Sequence, residues 1–298
     1  MVDSKSLGAS LYVPACHKDL LAIANEEKLS PLRSVIFCTE DAISDNDLSY
    51  ALFHLSLTLE NMRADVLLAR FVRVRNPDVM ARILAMRGSE KLTGFVLPKV
   101  TRHNLPKYLR LIRDTRHFLM PTLETAEVFD DREMRRLRTL LEAPGVRNRI
   151  LALRIGGNDL FALLGMRRPR NVTLYRTPLG MIIARLVTTF LPHGFTLTAP
   201  VFEYLDNPEL LDQEVIEDIA HGMVGKTAIH PDHVSLIEKH YQVLPMDVEV
   251  AKRIRDTNSP AVFQMDQAMC EVATHMPWAQ NVILRSHVFG VRQTVPKK

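Results

Sequence analysis

The chain has 298 residues, of which 47% are apolar and 24% charged, with a formal net charge of +4 and a pI near 9.0. That length and balance describe a globular chain, either one barrel with additions or two ordinary domains. No apolar run approaches the roughly 18–20 residues of a membrane span, residues 1–8 lack the apolar core of an export signal, and no basic stripe interleaves with aromatics. The expectation is therefore a cytoplasmic protein with no membrane or nucleic-acid partner. Its basic residues concentrate in 132–138 and 167–170, a mild surplus that suits an anionic small molecule or a solvated helix surface. Cys16, Cys38 and Cys270 have no metal-finger spacing and are too few for a disulfide framework, so they read as reduced bystanders.

In chain order, the first apolar run, residues 10–15, reads as a strand, followed by a helix over 17–28. A second strand over 34–39 ends in Glu40-Asp41, and a helix follows over 46–62. Residues 67–74 form a third strand carrying Arg73 and Arg75, two residues apart and hence on one strand face, and Pro77 opens the next helix at a position that tolerates proline. Residues 94–99 are the fourth strand, with a helix starting near Asn104.

Residues 118–123 and 150–155 read as buried parallel strands separated by an amphipathic segment over 128–142. Each strand leads into an acid: Glu124 in Leu-Glu-Thr-Ala, and Asp159 in Gly-Gly-Asn-Asp-Leu. Both acids thus fall at the carboxyl ends of neighbouring strands, the rim where barrels of this kind place their chemistry. Two carboxylates there suit Mg2+, which takes one or two protein carboxylates and keeps several waters. The alternative is a helix N-cap for Asp159 and a surface acid for Glu124.

After an interruption rich in arginine and proline over 165–177, a long apolar helix spans 179–191. A seventh strand spans 195–202, a helix 209–221, and a short eighth strand opens Gly225-Lys-Thr-Ala-Ile-His-Pro231. Eight strand–helix units argue for a closed TIM (β/α)8 barrel, in the α/β class. An open doubly wound sheet is disfavoured because no GxGxxG follows the first strand. Beyond it, a helix over 246–256 is broken at Ser259-Pro260, and 264–276 and 278–289 read as two further helices. The expected division is a barrel domain over 1–242 and a helical extension over 243–298, a lid or a subunit contact.

Taken together, Ser10-Leu-Tyr-Val-Pro, Thr39-Glu-Asp-Ala, Val72-Arg-Val, Leu97-Pro-Lys, Leu123-Glu-Thr-Ala, Gly157-Asn-Asp-Leu and Gly225-Lys-Thr-Ala-Ile-His-Pro resemble the motifs of one family. It is the citrate lyase β-subunit-like and malyl-CoA-lyase-like enzymes of the HpcH/HpaI aldolase superfamily. The resemblance implies a Mg2+-dependent carbon–carbon lyase or aldolase acting on a 2-oxo or 3-hydroxy carboxylate, free or as a CoA thioester, through a metal-stabilised enolate. Glu124 and Asp159 would hold the metal, and Arg73 would clamp the substrate carboxylate, for which a planar guanidinium is suited. Arg75, Gly157 and Asn158 would assist in substrate binding. Glu40, Asp41, Lys99, Lys226 and His230 would support from behind. The resemblance also implies a homo-oligomer, a trimer or hexamer.

Three alternatives stay open. Arg73 pairs with Glu40 or Asp41 on one reading and clamps substrate on the other. Lys99 as a Schiff-base nucleophile is a competing chemistry, and the His230 motif reads equally as architecture. The chain also departs from the family. The glycine hinge before the lid acid is missing, and Glu271, with Asp266 as the nearby alternative, stands where the family has its catalytic aspartate. Arg167, Arg168 and Arg170 read either as a phosphate site or as a basic surface loop. A barrel that binds a small acid or a protein partner with little turnover is the rival from another class.

Overall fold

The computed structural model describes residues 2–29 and 31–293. Eight strands carry the fold: β1 Gly8–Pro14, β2 Ser34–Cys38, β3 Ala69–Arg73, β4 Gly94–Leu97, β5 Phe118–Leu123, β6 Leu153–Ile155, β7 Leu197–Thr198 and β8 Gly225–Ala228. Helices alternate with them: α1 Leu20–Ala24, α2 Leu48–Asn61, α3 Pro77–Leu84, α4 Leu105–Leu111, α5 Asp131–Glu142, α6 Gly157–Leu163, α7 Pro178–Phe190, α8 Pro208–Ala220 and α9 Pro231–Tyr241. All neighbouring strands in the order β7-β6-β5-β4-β3-β2-β1-β8 run parallel. The ring closes just past β7: Ala199 N donates to Gly225 O at 2.7 Å, and Thr227 N donates to Ala199 O at 3.2 Å. The TIM barrel expected from the alternation of elements is the observed fold. No helix among the described residues is long and apolar enough to cross a membrane, and all three cysteines are free.

Local sequence explains where the helices start. Asn76, Asp130, Thr177 and Asn207 each accept a hydrogen bond from a first-turn N–H, and proline opens α3, α7 and α8. The first helix is shorter than expected because Glu26 and Leu29 both take positive φ. The predicted strands over 150–155 and 195–202 shrink to three and two residues, with Ile150 and Ala199 left as isolated bridges to Leu119 and Lys226.

The period of two along each strand sorts the barrel interior. On β3, Ala69, Phe71 and Arg73 share a face; on β5 and just beyond it, Met120, Thr122 and Glu124 do. Ile36, Ala69, Phe71, Val96, Met120 and Ala152 fill one end with a buried apolar cluster. The carboxyl end of the same faces is polar. That gradient places charged groups where the loops can surround them.

The chain forms two compact units, Met1–Ser235 and Leu236–Lys298. In the second, α10 (Pro245–Arg255), the strands β9 (Val262–Met265) and β10 (Ala268–Glu271), and α11 (Val272–Phe289) surround a core of Val250, Ala251, Ile254, Cys270, Ala279 and Val282. The helix expected over 264–276 is therefore corrected to an antiparallel hairpin as far as Glu271, and residues 272–276 open α11, which runs on through the helix expected over 278–289. Asp266 and Gln267 turn it, with φ of 52° and 58°, the mirror-image two-residue turn that matches strand twist. Gln, Met, Ala and Glu are good helix formers, and tertiary packing of Cys270 overrides that propensity.

His117 illustrates the cost of burial at the strand entrances. It is 5% exposed, packs edge-on against Phe95 and shares a hydrogen bond with Ser89 O at 2.9 Å. Burial, with the Arg149 charge, holds its pKa below the ordinary 6.5 against that hydrogen bond. A depressed folded-state pKa means the unfolded chain binds the proton more readily, so stability is present above pH 6.5 and is lost as pH falls. The melting temperature is expected to fall from pH 6.5 to 5, and to fall less steeply in His117→Gln. Equal slopes would remove His117 as a cause.

Candidate active site

The carboxyl ends of the strands open into a cleft of about 340 Å3, lined among others by Tyr12, Arg73, Thr122, Glu124, Arg154 and Asp159. Arg73 is the last residue of β3, Glu124 follows β5 directly, and Asp159 stands in the first turn of α6, just past β6. The N-cap of α6 is Gly156 rather than Asp159. The capping alternative for Asp159 is corrected on that ground, and Glu124, 3% exposed, is no surface acid.

Arg73 organises the acids. Its Nη2 lies 2.8 Å from Glu40 Oε2, 3.1 Å from Asp41 Oδ2 and 3.4 Å from Glu124 Oε1. Lys99, two residues past β4, joins with both its ends. Its main-chain N–H donates to Glu124 Oε1 at 2.8 Å, an aim set by a left-handed backbone with φ of 49°. Its Nζ lies 3.3 Å from Glu40 Oε1 and 3.4 Å from Asp159 Oδ1. Burial pushes the Glu124 carboxyl up to about 7; Arg73 pulls it down, and the Asp159 charge pushes it up again. Burial likewise raises Glu40, against the pull of Arg73. Lys99 is raised: burial opposes the shift, but the Glu40 and Asp159 charges outweigh it. A Schiff-base lysine needs the opposite shift, which disfavours that chemistry here.

Both hydrogen bonds to Glu124 fall on Oε1. Its Oε2 lies beside Gly156, where a Cβ would come within 2.1 Å of it. The glycine thus leaves the carboxylate room. A buried Glu124 carboxyl, raised by burial and by the Asp159 charge, and a partly exposed Asp159 on the same cleft fit a hard divalent cation. Among the described residues no three or more His, Cys, Asp or Glu side chains are arranged to hold a metal ion together; a pair of carboxylates suits a cation that keeps several of its waters.

Other expected site residues stand elsewhere. Arg75 pairs with Asp45 and donates to Thr39 O, Glu40 O and Ile43 O, so it braces the loop after β2 rather than lining the cleft. Gly157 and Asn158 do line it, and Asn158 Nδ2 donates to Glu203 Oε2 at 3.1 Å. Lys226 is fully buried, 2.9 Å from both Glu214 and Asp218 on α8, and belongs to the wall of the barrel. His230 is half-exposed beside Asp232 at 3.5 Å. Arg168 is buried against Glu214 at 2.5 Å, while Arg170 pairs with Asp206 at 2.5 Å and Arg167 with Glu203 at 3.6 Å. That arrangement corrects the reading of the three as one phosphate site. Glu271 ends β10 and precedes α11, its N–H donating to His275 Nδ1 at 3.1 Å, and Asp266 sits at the hairpin tip; both belong to the second unit.

Tyr12, Thr122, Arg154 and Thr227 also line the cleft, and no motif in the sequence marks them as site residues. For Arg154 a signal existed: an arginine inside an apolar three-residue strand, Leu153-Arg-Ile155, is out of place unless its charge has a use.

Comparison with known proteins adds to the geometry. A family model described as a C–C bond lyase of the TIM-barrel fold matches residues 1–291. A (3S)-malyl-CoA thioesterase of Cereibacter sphaeroides is 27% identical over 249 residues, covering 82% of this chain and 80% of the relative. Among solved structures, the CitE protein of Mycobacterium tuberculosis in complex with magnesium, acetoacetate and coenzyme A superposes with a TM-score of 0.70 at 19% identity. That match covers 95% of this chain and 99% of the other. A citrate lyase from Burkholderia xenovorans gives 0.74 at 15% identity, covering 97% and 94%. The eight-stranded parallel barrel, the acids at its mouth and a family match that runs nearly from end to end agree, and the chain belongs to the carbon–carbon bond lyases of the TIM-barrel fold.

Proposed function

We propose that this lyase is Mg2+-dependent and acts on a 2-oxo or 3-hydroxy carboxylate, free or as a CoA thioester. The observation that carries this reading is the convergence of Glu124 and Asp159 on one cleft, with Arg73 against Glu124 and Lys99 against Asp159. Glu124 and Asp159 would hold the cation, which when bound supplies Lewis acidity to an oxygen beside the carbon–carbon bond that breaks or forms. Arg73 would meet the substrate carboxylate through its guanidinium, whose contacts to Glu40, Asp41 and Glu124 all fall on Nη2. Glu40 and Asp41 hold that guanidinium in place, and the Lys99 N–H fixes which oxygen of Glu124 is left to face the cleft. Glu271 is the proposed proton donor, delivered from a neighbouring copy in a homo-oligomer.

The magnesium and coenzyme A bound by the CitE structure support this reading. The thioesterase activity of the curated relative favours a second one, hydrolysis of a CoA thioester at the same acids. Both share a single test. Chelation of Mg2+ is expected to abolish turnover while the circular dichroism spectrum is unchanged, and calorimetry is expected to show oxaloacetate binding more tightly when Mg2+ is present. A chain that binds neither cation nor oxoacid overturns both readings.

A further inference from the structure

Among the described residues, one buried cation in the cleft has no counter-ion. Arg154 is 2% exposed, and among the described residues no carboxylate comes within ion-pair distance of it. Its Nη2 donates to Thr227 Oγ1 at 2.5 Å, and its guanidinium lies 5.6 Å from the centre of the Tyr12 ring. Its Nη1 is buried without a hydrogen-bond partner, as are the hydroxyls of Thr122 and Thr198. These two threonines are its register neighbours on β5 and β7. The register also fixes the depth: Thr122 pairs with Arg154, so the guanidinium enters the barrel one side-chain layer beneath Glu124. Arg73 approaches the same Tyr12 ring, at 5.9 Å. Tyr12 thus stands between a rim arginine compensated by acids and a deeper one that is not.

A buried charge is ordinarily paired. An uncompensated guanidinium lining a cleft, with two idle hydroxyls in its layer, matches a planar anion that can accept two parallel hydrogen bonds. We propose that Arg154 is a specificity-determining residue that binds a second carboxylate. The substrate would then be a dicarboxylate, one end held at the rim by Arg73 and by the cation that Glu124 and Asp159 would hold, and the other at Arg154, with the Thr122 hydroxyl donating to the deeper end. This inference rests on the reading of the cleft as the substrate site, and it deepens that reading by naming the substrate class.

The test is calorimetry on the native chain and on Arg154→Met and Arg154→Lys, with circular dichroism as the check on fold. The probes are oxaloacetate against pyruvate with Mg2+ present, and succinate against acetate in a chelator. The native chain is expected to prefer the dicarboxylate of each pair at least tenfold. Arg154→Met is expected to lose about 100-fold in oxaloacetate affinity, the scale set by a buried charge-assisted pair, with pyruvate changed less than threefold. Arg154→Lys keeps the sign of the preference and weakens it.

Equal affinity for the two members of each pair on the native chain, or an equal loss of both acids in Arg154→Met, overturns the proposal, as does binding of neither acid. A dicarboxylate preference that survives the chelator while Mg2+ binds nowhere sinks the metal-dependent lyase reading and leaves the Arg154 assignment standing.

Discussion

Replacing Lys226 with methionine is expected to lower the unfolding free energy by about 3–5 kcal/mol, the range seen when one partner of a buried ion pair is removed. The ammonium is fully buried and lies 2.9 Å from Glu214 Oε1 and 2.9 Å from Asp218 Oδ2. Glu214 keeps Arg168 at 2.5 Å and the Leu174 N–H at 3.0 Å; Asp218 keeps the Tyr175 hydroxyl at 2.6 Å. Of these four charged groups, two are cations and two are acids, so the substitution leaves one negative charge uncompensated in the barrel wall. Burial already pushes Asp218 up to about 6, against the pull of Lys226 and with the Glu214 charge adding to it. The measurement is urea unfolding at pH 7. Adding Asp218→Asn to the methionine variant is expected to recover part of the loss, because the surplus charge is then gone. A cost below about 1 kcal/mol, the scale of an exposed pair, would mean that water already reaches the group.

Glu124→Gln is expected to lower turnover on the order of 10^3-fold, the scale on which a single group acting on developing charge matters, and to weaken Mg2+ binding in calorimetry. The two readouts should move together, since the substitution keeps the shape and removes the charge. Stability should move the other way. Burial raises the Glu124 carboxyl to about 7, so ionising it costs the fold, and a neutral amide is expected to keep or raise the melting temperature at pH 8. Function held at the expense of stability is a common trade at active sites. Unchanged turnover and metal affinity would remove Glu124 from the ligand pair.

Much of this site can be read from linear sequence because barrel strands end where chemistry begins. A period of two puts Arg73 inside once Ala69 and Phe71 are inside, and the step from strand to loop puts Glu124 and Asp159 at the rim. The destination of Lys226 is less legible. Its partners Glu214 and Asp218 lie one helical turn apart on α8, and which strand that face meets is a tertiary fact. A motif ending in Gly-Lys-Thr-Ala-Ile-His-Pro can therefore look functional while its lysine secures packing. The hairpin of the second unit is hidden for a different reason. Its turn is Asp-Gln rather than Asn-Gly, and its strands are made of residues with good helix propensity. Arg154 stands out in sequence as a charge inside an apolar strand, but that it lacks a counter-ion is a tertiary fact.

Lys99 has a consequence for what evolution can do at this position. Its left-handed backbone costs a residue with a side chain about 1–2 kcal/mol, and glycine escapes that cost. Glycine would keep the main-chain N–H on Glu124 and lose the ammonium that spans Glu40 and Asp159. Selection for stability alone therefore pulls this position toward glycine or asparagine, and selection on the charge of the cleft pulls it toward lysine. A lineage that gives up the chemistry of the cleft should relax here early.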